Sequence, residues 1–300
     1  MEREDGGSQW VTAPSAIEST APSVTGSILI PILNDTYPTQ SLTIGRALAL
    51  ANNTGIILLR PVSLPLQRPL ELSPEEAKRH HDIVDRLMIQ FSQSHPDTNI
   101  RSVVRLGRAP EQIIRSAVTE HGIGTVVVDD SQHPNGLGVF WRTPAEKIVE
   151  RVSCDAVLTN GREIRPTISS VLVPVSSGNH SSLAVTVGHT LAREHNAWTD
   201  ILHVIPPNAS SRRRARAEQY VSAAVDQLDD ANQVNTWVLE ADDATEAIAE
   251  QADYYDITVL GRSGKSRFSR LIFGSKTTDI YTASGQPIAM SKQRGRWPTK

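Results

Sequence analysis

The sequence has one cysteine, little net charge and no long apolar run. The single Cys154 excludes an intramolecular disulfide and a cysteine-based zinc cage, which suits a reducing cytosol. A formal net charge of −3 excludes the global basic field that draws proteins onto nucleic acid or anionic lipid. No apolar run approaches the roughly 18 residues that span a bilayer, and the first residues lack a signal-peptide pattern. We therefore expect a cytoplasmic protein with no nucleic-acid partner and no membrane insertion.

Metal binding is also not expected from the sequence. The nine histidines show no paired spacing on one helix face, and they have no cysteine partners. His203, at the end of an apolar run, is interpreted as a packing residue.

The chain does contain an alternation of short β-branched runs with amphipathic segments of helical length. This alternation is typical of βαβ units and a parallel sheet, and 300 residues are enough for about two domains. Ten strands are predicted, five in each half of the chain: 27–33, 55–62, 99–106, 124–129 and 155–160, then 169–175, 200–205, 235–240, 256–261 and 287–292.

Composition sets the expected boundaries between these regions. Residues 1–26 are polar and without periodicity, which predicts a disordered leader. A first domain is expected over 27–161 and a second over 168–292. Residues 162–167 form a linker that contains Pro166, and 293–300 form a basic tail.

The two halves also repeat residues, which indicates two copies of one domain rather than a solenoid. Three pairs of segments align without gaps: "LIPIL" (29–33) with "LVPVS" (172–176), "TIGRALALA" (43–51) with "TVGHTLARE" (186–194), and "VVVDDSQHPNGLGVFWRT" (126–143) with "TVLGRSGKSRFSRLIFGS" (258–275).

A glycine-rich stretch follows the fourth strand of the second copy. Gly261 and Gly264 allow a ligand to approach the backbone closely, because they lack Cβ atoms. Gly274 and Ser275 come where the next helix should begin, and its unpaired N–H groups favour an anion. Ser275 and Thr277 add hydroxyl donors. Ligands of such sheets bind beyond the carboxyl ends of the strands, so this stretch predicts a phosphate site.

The same stretch is locally basic. Five cations fall within it, and the next acid is Asp279: Arg262, Lys265, Arg267, Arg270 and Lys276. They favour a phosphate chain, although a solvated surface or a contact for an acidic partner stays open. An ordinary turn and helix start is the corresponding alternative for the glycines.

The spacing Gly261-x2-Gly264-x9-Gly274-Ser275 resembles the nucleotide-binding signature of the universal stress protein family. "LVPV", "LHV" and "QPIAMSK" are similar to that family too, so the chain resembles a tandem member over nearly its whole length. The resemblance implies two tandem five-stranded, parallel-sheet, doubly wound α/β domains, Rossmann-like and similar to adenine nucleotide alpha hydrolases. It also implies binding of ATP or another adenine nucleotide, with or without Mg²⁺.

Carried onto matching positions, the resemblance implies two sets of ligand contacts. The nucleoside would contact Val175, Ser176 and Val204. Ribose and phosphate would contact Gly261, Gly264, Gly274, Ser275 and Lys276, with Arg262 and Thr277 beside them. Ser176 stands where the family usually places an aspartate, which weakens nucleotide binding or alters base choice.

The first copy departs further from the signature, and we expect it not to bind ATP. Asp129 and Asp130 replace Gly261 and Arg262, and their carboxylates would repel phosphate. The remaining replacements are Gln132 for Gly264, Arg142 for Gly274, Thr143 for Ser275 and Leu33 for Ser176.

Three functions from different classes remain open at this stage. The leading hypothesis is a stress-response regulator that binds nucleotide in its C-terminal domain without efficient turnover, since no positioned general base or acidic metal pair accompanies the glycines. The alternatives are a nucleotide-independent interaction module with an unknown protein partner, and a weak ATP-hydrolysing or adenylating enzyme. The resemblance further implies an intramolecular pseudo-dimer through 155–160 and 287–292, with homodimers also open.

Overall fold

The computed structural model describes residues 9–11, 26–130, 143–176, 181–261 and 286–294. The chain divides into two compact units. The first unit contains the described residues up to 129 together with 143–156, and the second contains residue 130 and those from 157 onward. The predicted linker, 162–167, lies within the second unit.

The first unit alternates strands and helices. Its elements, in chain order, are β1 (Gln9–Val11), β2 (Ile28–Pro31), α1 (Thr39–Ala51), β3 (Ile56–Ser63), α2 (Pro74–Ser94), β4 (Ile100–Gly107), α3 (Pro110–Glu120), β5 (Thr125–Asp129), α4 (Pro144–Arg151) and the start of β6 (Asp155–Thr159).

The second unit repeats this alternation after the end of β6. Its elements are β7 (Ser170–Pro174), α5 (Ser182–His195), β8 (Trp198–Ile205), α6 (Ser211–Val225), β9 (Val234–Glu240), α7 (Ala244–Ala252), β10 (Ile257–Gly261) and β11 (Ile288–Lys292).

Both units have the same strand order. The order is β4-β3-β2-β5-β6 in the first and β9-β8-β7-β10-β11 in the second. The pairings recorded among β2, β3, β4 and β5 are parallel, as are those among the five strands of the second unit. The predicted doubly wound α/β fold is confirmed, and all ten predicted strands form within one or two residues of their predicted bounds.

An eleventh strand was not predicted from the sequence. β1 lies antiparallel to β4, with Trp10 opposite Arg105. The prediction of a disordered leader over 1–26 is wrong for these three residues. Their main chain pairs with β4 and forms an edge strand. So short a segment has no alternation that a sequence pattern can detect.

The burial of the two central strands explains why the other strands could be predicted from apolar runs in the sequence. Every residue of β2 is buried, and in β7 the run Val171, Leu172 and Val173 is fully inaccessible. Strands covered by helices on both faces read as continuous apolar runs rather than as alternating ones.

One glycine in each unit sets how closely a helix packs on its central strand. A Cβ added to Gly188 in α5 would lie 2.5 Å from Cγ2 of Val173, and one added to Gly45 in α1 would lie 2.7 Å from Cδ1 of Ile30. Gly45 and Gly188 are equivalent in the repeat, so both units use the same helix-to-strand contact.

Replacement of Gly188 by alanine should destabilise the protein. Overpacking costs about 1–3 kcal/mol, and the better helix propensity of alanine returns at most about 1 kcal/mol. We expect Gly188→Ala to lower the free energy of unfolding by about 1–2 kcal/mol in urea titrations. Gly45→Ala should cost less, because the Cδ1 atom of Ile30 ends a flexible side chain whereas the Val173 methyl is held close to the backbone.

The control is Thr186→Ala, an exposed position on the same helix. It should change the free energy of unfolding by less than about 0.5 kcal/mol. Equal stability of Gly188→Ala and the unsubstituted protein would contradict the close packing.

Candidate functional site

The carboxyl ends of β7 and β10 form the candidate site of the second unit. Strand order reverses at this pair, since β8 and β9 extend from β7 on one side and β11 follows β10 on the other. Ligands of open α/β sheets bind in the crevice at such a point. The site therefore follows from topology before any motif is considered.

The structure brings four of the predicted site residues to this edge. Val175 and Ser176 directly follow β7, Val204 is near the end of β8, and Gly261 is the last residue of β10. Val175 is buried, while the other three are partly accessible. The remaining predicted contacts, which lie outside the described residues, are Arg262, Gly264, Gly274, Ser275, Lys276 and Thr277.

Backbone bonds fix the end of β7. The amide of Val175 donates to the Leu202 carbonyl at 2.7 Å, which continues the pairing with β8 one residue beyond the strand. The amide of Ser176 donates to Oγ of Ser181 at 3.2 Å, just before α5. That hydroxyl makes no capping bond to α5, so it serves the strand end instead.

His203 contacts the end of β7. The sequence analysis interprets this side chain as a packing residue, but in the structure it also lies within hydrogen-bond distance of the backbone. Its Nδ1 lies 2.7 Å from the carbonyl oxygen of Val175. Its ring meets that of Tyr220 in α6 edge to face, with 5.3 Å between centroids. The bond depends on the register between β7 and β8, so no local sequence signal could have shown it.

Gly261 ends a strand that is paired on both sides. It lies opposite Ser291 of β11, and Oγ of Ser291 donates to the Leu260 carbonyl at 3.3 Å. The backbone of β10 is thus held up to the point where the glycine-rich stretch begins.

The first turn of α6 adds positive charge at the same edge, because this helix follows the carboxyl end of β8. Residues 211–216 are exposed and include four arginines. Arg214 forms an ion pair with Glu240. Ser210 caps the helix by accepting a bond from the Arg213 amide. Residues 210–216 thus form an exposed, basic helix start.

The corresponding edge of the first unit is bonded differently. Arg60 of β3 donates through Nη1 to the carbonyls of Ile32 and Asn34, at 3.2 and 2.7 Å. Its Nη2 lies 2.7 Å from Oδ1 of Asp35. Burial lowers the pKa of His80, and the nearby Arg60 lowers it further. This edge therefore carries an ion pair whose arginine is largely buried and whose carboxylate is 68% exposed.

The helix start of the first unit is also satisfied internally. Thr143, which replaces Ser275 in the repeat, caps α4 by accepting a bond from the Glu146 amide at 3.1 Å. The Glu146 carboxylate accepts the Thr143 amide in return, also at 3.1 Å. A capping box of this kind uses two of the donors that an anion would need.

A separate polar cluster lies at the amino ends of the strands in the second unit. Tyr255 donates to Asp200 at 2.5 Å, and Asn235 donates to the other oxygen of the same carboxylate at 2.9 Å. Burial, and then the bond to Asp200, raise the pKa of Tyr255. Nearby Asp256 accepts the amides of Ser169 and Ser170, at 2.7 and 3.1 Å. These bonds join strand starts and lie away from the ligand edge.

An open groove on the first unit is a weaker candidate site. It has a volume of about 390 Å³ and lies along α2, lined by Asp82, Asp85, Arg86, Ile89, Gln90 and Gln93. Asp85 is already engaged by the Ser102 hydroxyl. One helix supplies the whole lining, so the groove does not gather groups from several strands as the edge of the sheet does.

The described residues contain neither a group of metal ligands nor a membrane-spanning helix. Within those ranges, no three histidine, cysteine, aspartate or glutamate side chains are grouped so that they could hold a metal ion. Over the same part of the chain, no helix combines the length and apolar character needed to cross a bilayer.

Comparison with solved structures places the fold in a known class. A functionally unknown protein from Pseudomonas aeruginosa PAO1 is 15% identical, with 89% of this chain and 92% of that one covered and a TM-score of 0.59. A universal stress protein from Archaeoglobus fulgidus DSM 4304 is 13% identical, with 91% and 99% covered and a TM-score of 0.57. No curated protein sequence matches the chain.

A third solved structure shows that the fold serves unlike proteins. The cytoplasmic domain of a prokaryotic cation chloride cotransporter is 9% identical, with 91% of this chain and 97% of that one covered and a TM-score of 0.53. At these identities the likeness establishes the fold alone.

The protein is thus an α/β protein with two parallel-sheet units, each of which has a strand-order reversal suited to a ligand. Residues 167–292 match the model of the universal stress protein family. The resemblance to that family is confirmed over these residues, which make up less than half of the chain.

The buried side chain of His189, in α5 of the second unit, should make the free energy of unfolding depend on pH. It is only 6% exposed. Burial lowers its pKa below the usual 6.5, Arg193 lowers it further, and Asp230 opposes both. The folded protein therefore binds fewer protons than the unfolded chain as pH falls through about 6.5.

We expect the urea concentration at the unfolding midpoint to decrease when the pH is lowered from 7.5 to 5.5. The decrease should be smaller in His189→Leu. The two proteins share every other histidine, so the difference between them isolates the effect of His189. Parallel pH profiles for the two proteins would show that the buried imidazole does not resist protonation.

Proposed function

We propose that the protein is a cytoplasmic stress-response regulator that binds ATP or a related adenine nucleotide at the carboxyl edge of its second unit. The observation that carries this proposal is the meeting of Val175, Ser176 and Gly261 at the strand-order reversal. The glycine motif begins at that reversal, within the matched family region.

Charge supports an anionic ligand at this edge. The first six residues of α6 include four exposed arginines, and the sequence after Gly261 adds five cations before the next acid. A partly exposed Gly261 leaves no side chain at the end of β10, so phosphate groups could approach the main chain. Together these features favour a phosphorylated ligand over an apolar one.

The first unit is proposed as a partner that does not bind nucleotide. Its edge carries the Arg60 and Asp35 ion pair, and its helix start is capped by Thr143 and Glu146. Asp129 takes the place of Gly261 in the repeat, and a carboxylate at this position would disfavour a phosphate. One nucleotide per chain is the expected stoichiometry.

Glycine replacements in the motif should abolish nucleotide binding. We expect the full chain to bind one equivalent of ATP in isothermal titration calorimetry, and Gly264→Asp or Gly274→Asp to weaken binding at least tenfold. A carboxylate at either position would repel phosphate and fill the space next to the backbone. Asp129→Asn, at the position equivalent to Gly261, should leave the affinity unchanged.

Absence of saturable binding by the full chain would overturn the proposal and favour a nucleotide-independent interaction module. Phosphate release measured in the same samples separates a regulator from an enzyme. We expect release no faster than in buffer, and release abolished by Gly264→Asp would instead indicate hydrolysis at this site.

A further inference from the structure

Two large aromatic side chains are exposed at the amino ends of the strands in the second unit. Trp198 is the first residue of β8 and is 52% exposed, and Tyr254, in the turn before β10, is 80% exposed. Among the described residues, the other exposed large apolar side chains are Leu66 and Ile89, both in the first unit. The two aromatic residues therefore lie at the opposite ends of the strands from the ligand edge.

Hydrogen bonds place these two aromatic residues on one surface. The Trp198 amide donates to the Ser169 carbonyl at 3.0 Å, and the Ser169 amide donates to the Asp256 carboxylate at 2.7 Å. Asp256 is two residues after Tyr254. The starts of β8, β7 and β10 are thus joined in one line, with Trp198 at one end and the turn that carries Tyr254 at the other.

A further bond along the same line fixes the turn. Tyr255, next to Tyr254, donates through its hydroxyl to Asp200 at 2.5 Å. Asp200 is two residues after Trp198 in β8, so both side chains leave the same face of that strand. The turn before β10 is therefore attached to β8 as well as to β7. A surface on an ordered backbone loses less conformational entropy when a partner binds to it.

The turns on either side of Trp198 are acidic. Residues 226–233, before β9, and 253–256, before β10, contain five aspartates and no lysine or arginine. The first of these turns ends beside Trp198, because the Thr199 amide donates to the Gln233 carbonyl at 2.8 Å. Carboxylates and aromatic rings are thus found together at these strand starts.

Nearby cations offset only part of this negative charge. Arg165 lies 3.2 Å from Asp256, and Arg193, in the last turn of α5, interacts electrostatically with Asp230. The other three aspartates are exposed: Asp226, Asp229 and Asp253. Aromatic rings attract a cation that lies over their faces. Exposed rings beside exposed carboxylates therefore favour a guanidinium or ammonium group.

We propose that Trp198, Tyr254 and the two acidic turns form a docking surface for a cationic segment of a partner protein. Arginine or lysine side chains of that segment lie against the aromatic rings and pair with the exposed aspartates. The proposal does not rest on nucleotide binding, because this docking surface and the ligand edge are at opposite ends of the strands. The bonds of Tyr255 and Asp256 hold the surface in place.

The chain itself supplies a probe of the required chemistry. Residues 210–219 (SSRRRARAEQ) contain four arginines and one glutamate. We expect a labelled peptide of this sequence with blocked ends to bind the full chain saturably in fluorescence anisotropy, and more weakly as salt is added. A peptide with glutamine in place of the four arginines should bind at least tenfold more weakly. Absence of saturable binding by the arginine peptide would overturn the proposal.

Substitutions on the surface separate docking from general attraction between charges. The double variant Trp198→Ala, Tyr254→Ala should bind the arginine peptide at least fivefold more weakly than the unsubstituted protein. The double variant Trp198→Phe, Tyr254→Phe keeps both rings and should bind at least threefold more tightly than the alanine variant. Equal affinities of the alanine variant and the unsubstituted protein would show that the rings do not take part, and would overturn the proposal.

The matched control is Leu66→Ala, a change at an exposed apolar residue of the first unit, which should leave the affinity unchanged. Thermal midpoints of the alanine and phenylalanine variants within a few degrees of each other would show that a folding defect does not explain their difference. The oligomeric state is measured in the same samples by sedimentation. Self-association of the unsubstituted protein that the alanine variant abolishes would assign the surface to a second copy of this chain and overturn a separate partner.

Discussion

The close contact of one helix with the central strand of each unit is the constraint on which the ligand edge depends. A Cβ at Gly188 would force α5 and Val173 apart, and one at Gly45 would displace the flexible end of the Ile30 side chain. Because these helices press on buried strands, the chain can leave the sheet only at the strand end. The loops after β2 and β7 therefore start at equivalent positions in their own units, and in each unit this position is the strand-order reversal.

Burial on both faces makes the strand ends chemically special. The main-chain groups of β2 and β7 are used by neighbouring strands along their length. Just past the last pair, the carbonyls of Ile32 and Val175 are the first to need a different donor. A buried carbonyl without a partner is costly, so a side chain from the next strand supplies the bond. This requirement is shared by both units, whereas the identity of the donor is not.

Much of the fold could be predicted from the sequence because its signals are local. Ten strands were found from β-branched runs, and the repeat showed that the two halves share one architecture. β1 was not found, because three residues paired with a strand more than ninety positions away carry no periodic pattern. Val175, Ser176, Val204 and Gly261, which the family resemblance implies as ligand contacts, lie at one edge of the sheet, and their role as contacts stays a prediction. The bond from His203 to Val175 could not, because it depends on how two strands are aligned rather than on either one.

The donor at this position also fits the charges of the loop it faces. Arg60 is accompanied by Asp35, which neutralises its guanidinium at 2.7 Å. The loop after β7 reads "SSGNHSS" over 176–182 and contains no acid at all. An arginine beside Val175 would keep its full charge without a carboxylate from that loop, whereas an imidazole can donate from Nδ1 to the Val175 carbonyl without one. The pairing of arginine with an acid in one copy, and of histidine with an acid-free loop in the other, means that each edge is electrostatically consistent. In the first unit the charge of Arg60 is neutralised by Asp35, so it attracts a phosphate only weakly. In the second unit the loop after β7 has no acidic residue that would repel a phosphate.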